Sequence, residues 1–178
     1  PVMVDVRRDT QCLDPDLVEK AITPRTKAII AVHLGGHPAD LDRLTEIAKK
    51  HKVVLVEDCA HAHASEWRGR HVGNYGIAGT FSFQQSKLMT AGEGGIIITN
   101  DDDRLGEWQG AVLSAQLTRL DEQTRRRHEN SLLLDKLLGD IKGITPQRHD
   151  ERCTRNGHYA YIFHYDSAAF GGASTEKF

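Results

Sequence analysis

The stretch TKAIIAVHLGGHPADLDRLTEIAKKHKVVLVED, residues 26–58, sets two apolar runs on either side of one helical period. TKAIIAVHL, residues 26–34, is a continuous run rich in Ile, Val and Ala, which predicts a strand buried on both faces. GGHPAD reads as a loop. LDRLTEIAKKH then places apolar residues at 41, 44, 47 and 48, the spacing of an amphipathic helix. VVLVED, residues 53–58, is a second buried strand ending in two acids. A strand, a helix and a strand in this order predict a parallel pair joined by a right-handed crossover.

The pattern continues outward in both directions. PVMVDV predicts a strand over 2–6, followed by a Leu-Asp-Pro turn and a short helix over about 15–22. Asp14 is its expected N-cap, and Pro15 suits the first turn. FSF marks a strand over 80–84, and GIIITND one more over 95–101. From 108 to 138 the chain is one long helical stretch rich in Leu and Arg, and from about 155 a smaller α+β unit begins. The fold class expected is α/β with a mainly parallel sheet, in which ligands bind at the carboxyl ends of the strands.

Bulk properties narrow the function classes. With 23 basic and 25 acidic residues the formal net charge is −2, which leaves no electrostatic footprint for nucleic acid or anionic membrane. A hydrophobic fraction of 39% supports a packed core, and no apolar run approaches the roughly 20 residues of a membrane-spanning helix. Cys12, Cys59 and Cys153 are scattered without metal spacing, which suits reduced thiols and a cytoplasmic setting.

Two segments carry candidate chemistry. VEDCAHAHA puts Asp58 and His61 three residues apart at the mouth of the sheet. A strand-end carboxylate capping the next turn explains Asp58 without function. A metal set of His61 and His63 with Asp58 or Cys59 lacks a second cluster to complete it, and no metal is expected. GTFSFQQSKLMTAGEGG, residues 79–95, sets Lys87 between a strand and a glycine-rich loop. A lysine there is ordinarily a solvated one, but these neighbours predict a close-packed environment. Desolvation would then disfavour the ammonium and leave a nucleophilic amine suited to Schiff-base chemistry on a carbonyl. GEGG lacks the spacing of a dinucleotide or Walker phosphate loop, so its glycines are expected to serve close backbone approach and unusual φ/ψ. His33 and His37 flank the LGG loop, where satisfied loop histidines are the simpler reading. Trp67 and Trp108 read as packing residues, and Tyr159 and Tyr161 as part of a strand of unassigned position.

The block VEDCAHAHASEWRGRHVGNYGIAGTFSFQQSKLMTAGEGGIIITND resembles the core of the DegT/DnrJ/StrS aminotransferases, with supporting similarity in AVHLGGHPADLDRL and WQGAVLSAQLTRLDEQTRRRHEN. The resemblance implies an aspartate-aminotransferase-like (fold type I) large domain and pyridoxal 5'-phosphate as cofactor. It places Lys87 where the family's lysine forms the internal aldimine and Asp58 where an aspartate pairs with the pyridine nitrogen. It puts His61 against the cofactor ring near its phenolic oxygen, and Ser82 on the cofactor phosphate. It further implies Lys87 as proton shuttle, a glutamate or glutamine amino donor, a keto-sugar or cyclitol acceptor, and a homodimer with shared sites. The RRRHEN segment reads either as a partner-binding face or, more simply, as a solvated side with ion pairs to Glu122 and Glu129.

Related readings are a 3-amino-5-hydroxybenzoate-synthase-like enzyme and a non-catalytic or regulatory module of the same fold. A sugar 3-dehydratase, which typically has histidine in place of the lysine, is disfavoured by Lys87. Compared with the family, the chain is expected to lack the N-terminal phosphate-binding turn. NDDDRLGEWQGA joins two motifs that relatives separate by a long polar stretch, and the small domain is expected to stop early, so both ends read as cut. The expected organisation is a cofactor-binding large domain over 1–107, a connecting helix over 108–140 and the start of a small domain over 141–178.

Overall fold

In the computed structural model, residues 1–99 and 107–174 are described, with side chains of the long helix from residue 117 onward. Helix α1 (Pro15–Ala21) starts as expected: the Asp14 carboxylate accepts from the Asp16 and Leu17 N–H groups, and Pro15 occupies the first turn. Strand β1 (Ala28–Val32) ends in a 3-10 turn, Leu34–Gly36, and α2 (Leu41–His51) follows. Asp40 caps α2 by accepting from the Arg43 N–H at 3.1 Å. The helix buries Leu41, Leu44, Ile47 and Ala48, and Lys52 closes it in the left-handed region at φ 54°. β2 (Val54–Asp58) returns parallel to β1 with Val32 beside Asp58.

A short hairpin, β3 (Glu66–Trp67) and β4 (Arg70–His71), precedes β5 (Ala78–Ser82) and β6 (Gly95–Thr99). The sheet order is β1-β2-β5-β6. The first three strands are parallel and β6 is antiparallel, so the sheet is mainly parallel. Helix α3 (Glu107–Leu138) has 32 residues and is therefore about 48 Å long. Leu120, Thr124 and Ser131 are buried along it. Beyond it, β7 (Ile144–Pro146) and β8 (Phe163–Tyr165) pair antiparallel.

The core lies on one side of the sheet, where Ile29, Ala31, Leu55, Cys59 and Trp67 pack with α2. β1 alternates exposed and buried, and Ile30 and Val32 remain 63% and 40% exposed. The apolar run at 26–34 is thus covered on one face only among the described residues, not on both as its composition predicts. Residues 2–6 form no strand. Val6 makes an isolated bridge, to Leu13, and Val2 and Met3 are largely exposed, because among the described residues no neighbouring strand receives them. The FSF strand begins and ends two residues earlier than expected, and Asn100 and Asp101 of GIIITND lie outside the described residues, as does the Trp108 side chain. Trp67 packs as expected, 1% exposed, with its Nε1–H donating to Asp42 at 3.0 Å.

Candidate active site

The period-two geometry of a strand decides which of the two acids ending β2 faces the site. Glu57 is fully buried on the core side, whereas Asp58 stands on the open face between Val32 of β1 and Thr80 of β5. Ser82, two residues along β5, belongs to that same face. Asp58 Oδ1 accepts from the Ala60 N–H at 3.0 Å, turning the chain toward His61. Asp58 and Ser82 therefore end β2 and β5, and His61 and Lys87 follow just beyond them.

Lys87 follows a turn in which its N–H donates to the Gln84 carbonyl. Its Nζ lies 5.0 Å from the centre of the Tyr159 ring, a cation–π contact. The same ring stacks on His61, with centroids 4.2 Å apart and planes 15° from parallel. Lys87 and His61 thus converge on one aromatic ring, which the sequence put in a strand but which lies in a bend ahead of β8. Lys87 is half-buried, not enclosed, which corrects the close-packed setting expected for it. The glycines after it divide the two uses expected of them. Gly92 and Gly94 adopt φ of +86° and +120° with nothing to meet a Cβ within 4 Å, whereas a Cβ at Gly95 would come within 2.7 Å of the Phe81 carbonyl, a close approach across β5 and β6.

His61 and His63 do different jobs. His63 is 3% exposed between Phe81 and Phe83, and burial, opposed by the Ser82 backbone, brings its pKa down to about 4. Neither of its ring nitrogens makes a well-aligned hydrogen bond, and His61 Nδ1 is likewise buried without a partner. Burial, and next the nearby Lys87 charge, lower the His61 pKa. A neutral imidazole with an unused polar atom beside an amine suits a site that receives a polar, flat ligand. Ser82 Oγ accepts only a long 3.4 Å contact from the Gln84 N–H, which leaves it capacity for a further partner.

Beneath the site sits a network that sequence reasoning missed. Glu57 Oε1 accepts from the Tyr75 and Gly76 N–H groups at 2.7 Å each, and Oε2 accepts from Gly73 at 2.7 Å. His33 Nε2 donates to Oε2 at 3.2 Å, while its Nδ1 accepts from the Ala39 N–H, which sets the tautomer. Burial pushes the Glu57 carboxyl up, but the hydrogen bonds from His33, Gly76 and Gly73 outweigh it and the pKa ends below the ordinary range. Alternation in VVLVED was the available signal, since it must send one of the two acids inward. Cys59 lies close enough to make His33, Glu57 and Cys59 a conceivable ligand cluster. Glu57 is already committed to four donors, and burial holds the Cys59 thiol protonated, so the cluster is structural. His37, also buried, bonds the Pro38 carbonyl and the Asp150 N–H, as a satisfied loop histidine should.

The segment bearing Tyr159 is held from both sides. The Gly157 N–H donates to the Gly36 carbonyl and to Ser65 Oγ, and the Ala160 N–H donates to Gly35. Arg127 of α3 donates to the Gly157 carbonyl at 3.0 Å. On the outer side of α3, Arg125 and Arg126 pair with Glu122 and Arg125 also with Glu129, the solvated arrangement expected for RRRHEN.

The fold, aspartate-aminotransferase-like (fold type I), matches that of solved structures. A 3-amino-5-hydroxybenzoic acid synthase superposes with a TM-score of 0.85 at 43% identity, over 91% of this chain and 50% of that one. DesV of S. venezuelae, solved with a ketimine intermediate, gives a TM-score of 0.85 at 34% identity over 93% of this chain and 52% of that one. The DegT/DnrJ/EryC1/StrS aminotransferase family matches residues 1–104 and 102–171, and the chain belongs to that family. Among curated relatives, a putative L-glutamine:3-amino-2,3-dideoxy-scyllo-inosose aminotransferase of Streptoalloteichus tenebrarius is 41% identical over 208 aligned positions. The L-glutamine:2-deoxy-scyllo-inosose aminotransferase of Streptomyces kanamyceticus is 42% identical over 215. Each alignment takes in 99% of this chain, which spans about half the length of these relatives. An alignment of 208 positions for 178 residues leaves at least 30 positions of the first relative without a counterpart. The two family matches meet at 102–104, within the short NDDDRLGEWQGA junction.

Proposed function

We propose that this chain carries the lysine-bearing part of a pyridoxal-phosphate aminotransferase, which moves nitrogen from glutamine or glutamate to the ketone of a cyclitol or keto-sugar. The observation that carries it is the convergence of Lys87 and His61 on one planar ring beside Asp58, at the carboxyl ends of parallel strands. The curated relatives act on scyllo-inosose derivatives with L-glutamine, which supports a cyclitol acceptor and that donor.

The residues present fit the cofactor. The unpartnered His61 Nδ1, the open-face Asp58 and the under-used Ser82 hydroxyl supply polar groups of the required kinds. When bound, the cofactor supplies an electron sink for the carbon that loses a proton. Asp58 holds a proton on the pyridine nitrogen by its negative charge. His61 orients the ring from its face, and Ser82 donates to the phosphate. Lys87 would hold the cofactor covalently, and its free amine would move a proton between the two carbons that exchange it. We take residues 1–107 as cofactor-binding large domain, 108–140 as connecting helix and 141–178 as the start of the small domain. The family resemblance further supports a homodimer with shared sites, and the three free cysteines support the cytoplasm. No helix among the described residues is long and apolar enough to cross a membrane.

The test is spectroscopic. The chain titrated with pyridoxal phosphate develops a visible absorption band, and Lys87→Ala abolishes it. A band that persists in Lys87→Ala refutes the assignment of the lysine. Amino transfer from glutamine to 2-deoxy-scyllo-inosose then checks the acceptor class. The 43% identity to a 3-amino-5-hydroxybenzoate synthase of Amycolatopsis mediterranei favours one second reading, an aromatic-forming dehydration at the same lysine. Cofactor loading without amino transfer to any cyclitol or keto-sugar would support it.

A further inference from the structure

Tyr159 is the one side chain among the described residues that both Lys87 and His61 touch with their functional ends, and no role in the chemistry above falls to it. Its ring is flat, aromatic and nearly parallel to the His61 imidazole at stacking distance. Those are the attributes of the pyridine ring that the proposed function puts against the same imidazole and the same amine. The backbone leaves little freedom to this placement. His158, immediately before, is held in the left-handed region at φ 48°, with its N–H donating to Asn156 Oδ1 at 2.8 Å. Gly157 and Ala160 on either side are tied to the Gly36 and Gly35 carbonyls, and Gly157 also to Ser65. A Cβ at Gly157 would come within 2.8 Å of the His63 carbonyl, so only glycine allows this approach. The fold therefore presents Tyr159 to the site pinned at the main chain, and only rotation of the side chain can remove the ring.

We propose that Tyr159 is a built-in cover of the cofactor slot, its phenol ring occupying the position between Lys87 and His61 that the pyridine ring takes when the cofactor loads. This rests on the function proposed above. The cover has two effects. It shields the apolar face of His61 from water, and it holds the Lys87 ammonium against an electron-rich ring. Loading is then an exchange of one aromatic ring for another, and breaking the stacking and cation–π interactions of Tyr159 weakens the net affinity.

The experiment is a pyridoxal phosphate titration of the full chain, followed by the Lys87-dependent visible band. Removing the competing ring in Tyr159→Ala lowers the half-saturating concentration about tenfold, from the typical strength of one stacking and one cation–π contact. Tyr159→Phe keeps the ring and keeps the wild-type value. Tyr159→Leu, which retains apolar volume, carries the test if the alanine variant misfolds. An unchanged or higher half-saturating concentration in both ring-less variants overturns the proposal, because Tyr159 would then assist the cofactor or ignore it. A band absent from the wild type and from every Tyr159 variant overturns the proposed function itself, and this inference with it. In the cofactor-free chain, the His61 imidazole proton signals show the ring-current shift of a stacked phenol. That shift vanishes in cofactor-free Tyr159→Leu. Its survival there shows that Tyr159 is not the ring stacked on His61 and also overturns the proposal.

Discussion

Glu57 and Asp58 show how one residue step along a strand separates structure from chemistry. Asp58 is turned to the open face of the sheet, where the proposed function places the cofactor. Glu57 is turned to the core, where four donors satisfy its two oxygens. Glu57→Gln keeps the volume but points an NH₂ group at donors that need an acceptor. It should cost about 2–4 kcal/mol of unfolding free energy, measured by urea denaturation. A loss under about 0.5 kcal/mol, the range of ordinary surface substitutions, would show that the network is ornamental. Because Glu57 fixes Gly73, Tyr75 and Gly76 beneath β2, its loss also loosens the strand end that carries Asp58.

At the scale of the element, α2 supports the site from below. Its N-cap, Asp40, also pairs with Arg152, whose Nη2 lies 2.6 Å from Oδ2, so the cap ties the helix to the chain shortly before Tyr159. Its C-cap is Lys52, a non-glycine residue in the left-handed region that closes the helix by donating to the Ala48 and Lys49 carbonyls. Lys52→Gly relieves the Cβ strain of that conformation. Stability should rise by about 0.5–1 kcal/mol, visible as a higher midpoint in thermal or urea unfolding, with cofactor binding unchanged. The start of α1 was legible in the sequence, since Asp14 and Pro15 act within a turn of their own position. The strand over 2–6 was not, because a strand exists only where another strand receives it, and Val2 and Met3 meet none.

At the scale of the whole molecule, burial of histidines sets the response to pH. Burial brings His63 down to about 4, and burial with the neighbouring His128 and His149 does the same to His158. In the unfolded chain both titrate near about 6.5. Between those values the unfolded state binds protons that the folded state refuses, so stability falls as the pH is lowered from about 6.5 towards 4. Each histidine should remove about 2 kcal/mol by pH 5, and urea midpoints at pH 7 and 5 measure the sum. The carboxylates of Glu57, Asp42 and Asp150, all held below their ordinary pKa, lose their contributions only at still lower pH. Equal stability at pH 7 and 5 would mean that neither imidazole stays neutral in the fold.

The sequence by itself determined the strand-helix-strand alternation over 26–58 and the cap of α1, features that depend on side-chain type and on spacing along the chain. The family resemblance supplied the roles expected of Lys87, Asp58, His61 and Ser82 and pointed to the short NDDDRLGEWQGA junction, within which the two family matches meet. The tertiary structure alone decided which face of each strand is covered, that Glu57 collects its donors from a loop sixteen to nineteen residues away, and that Tyr159 lies on His61 from a distance of 98 residues. Such contacts join residues that no local period relates. They arise because the glycines of the Leu34–Gly36 turn hold the segment 157–160 against the ends of the strands, a meeting that exists only once the sheet has formed.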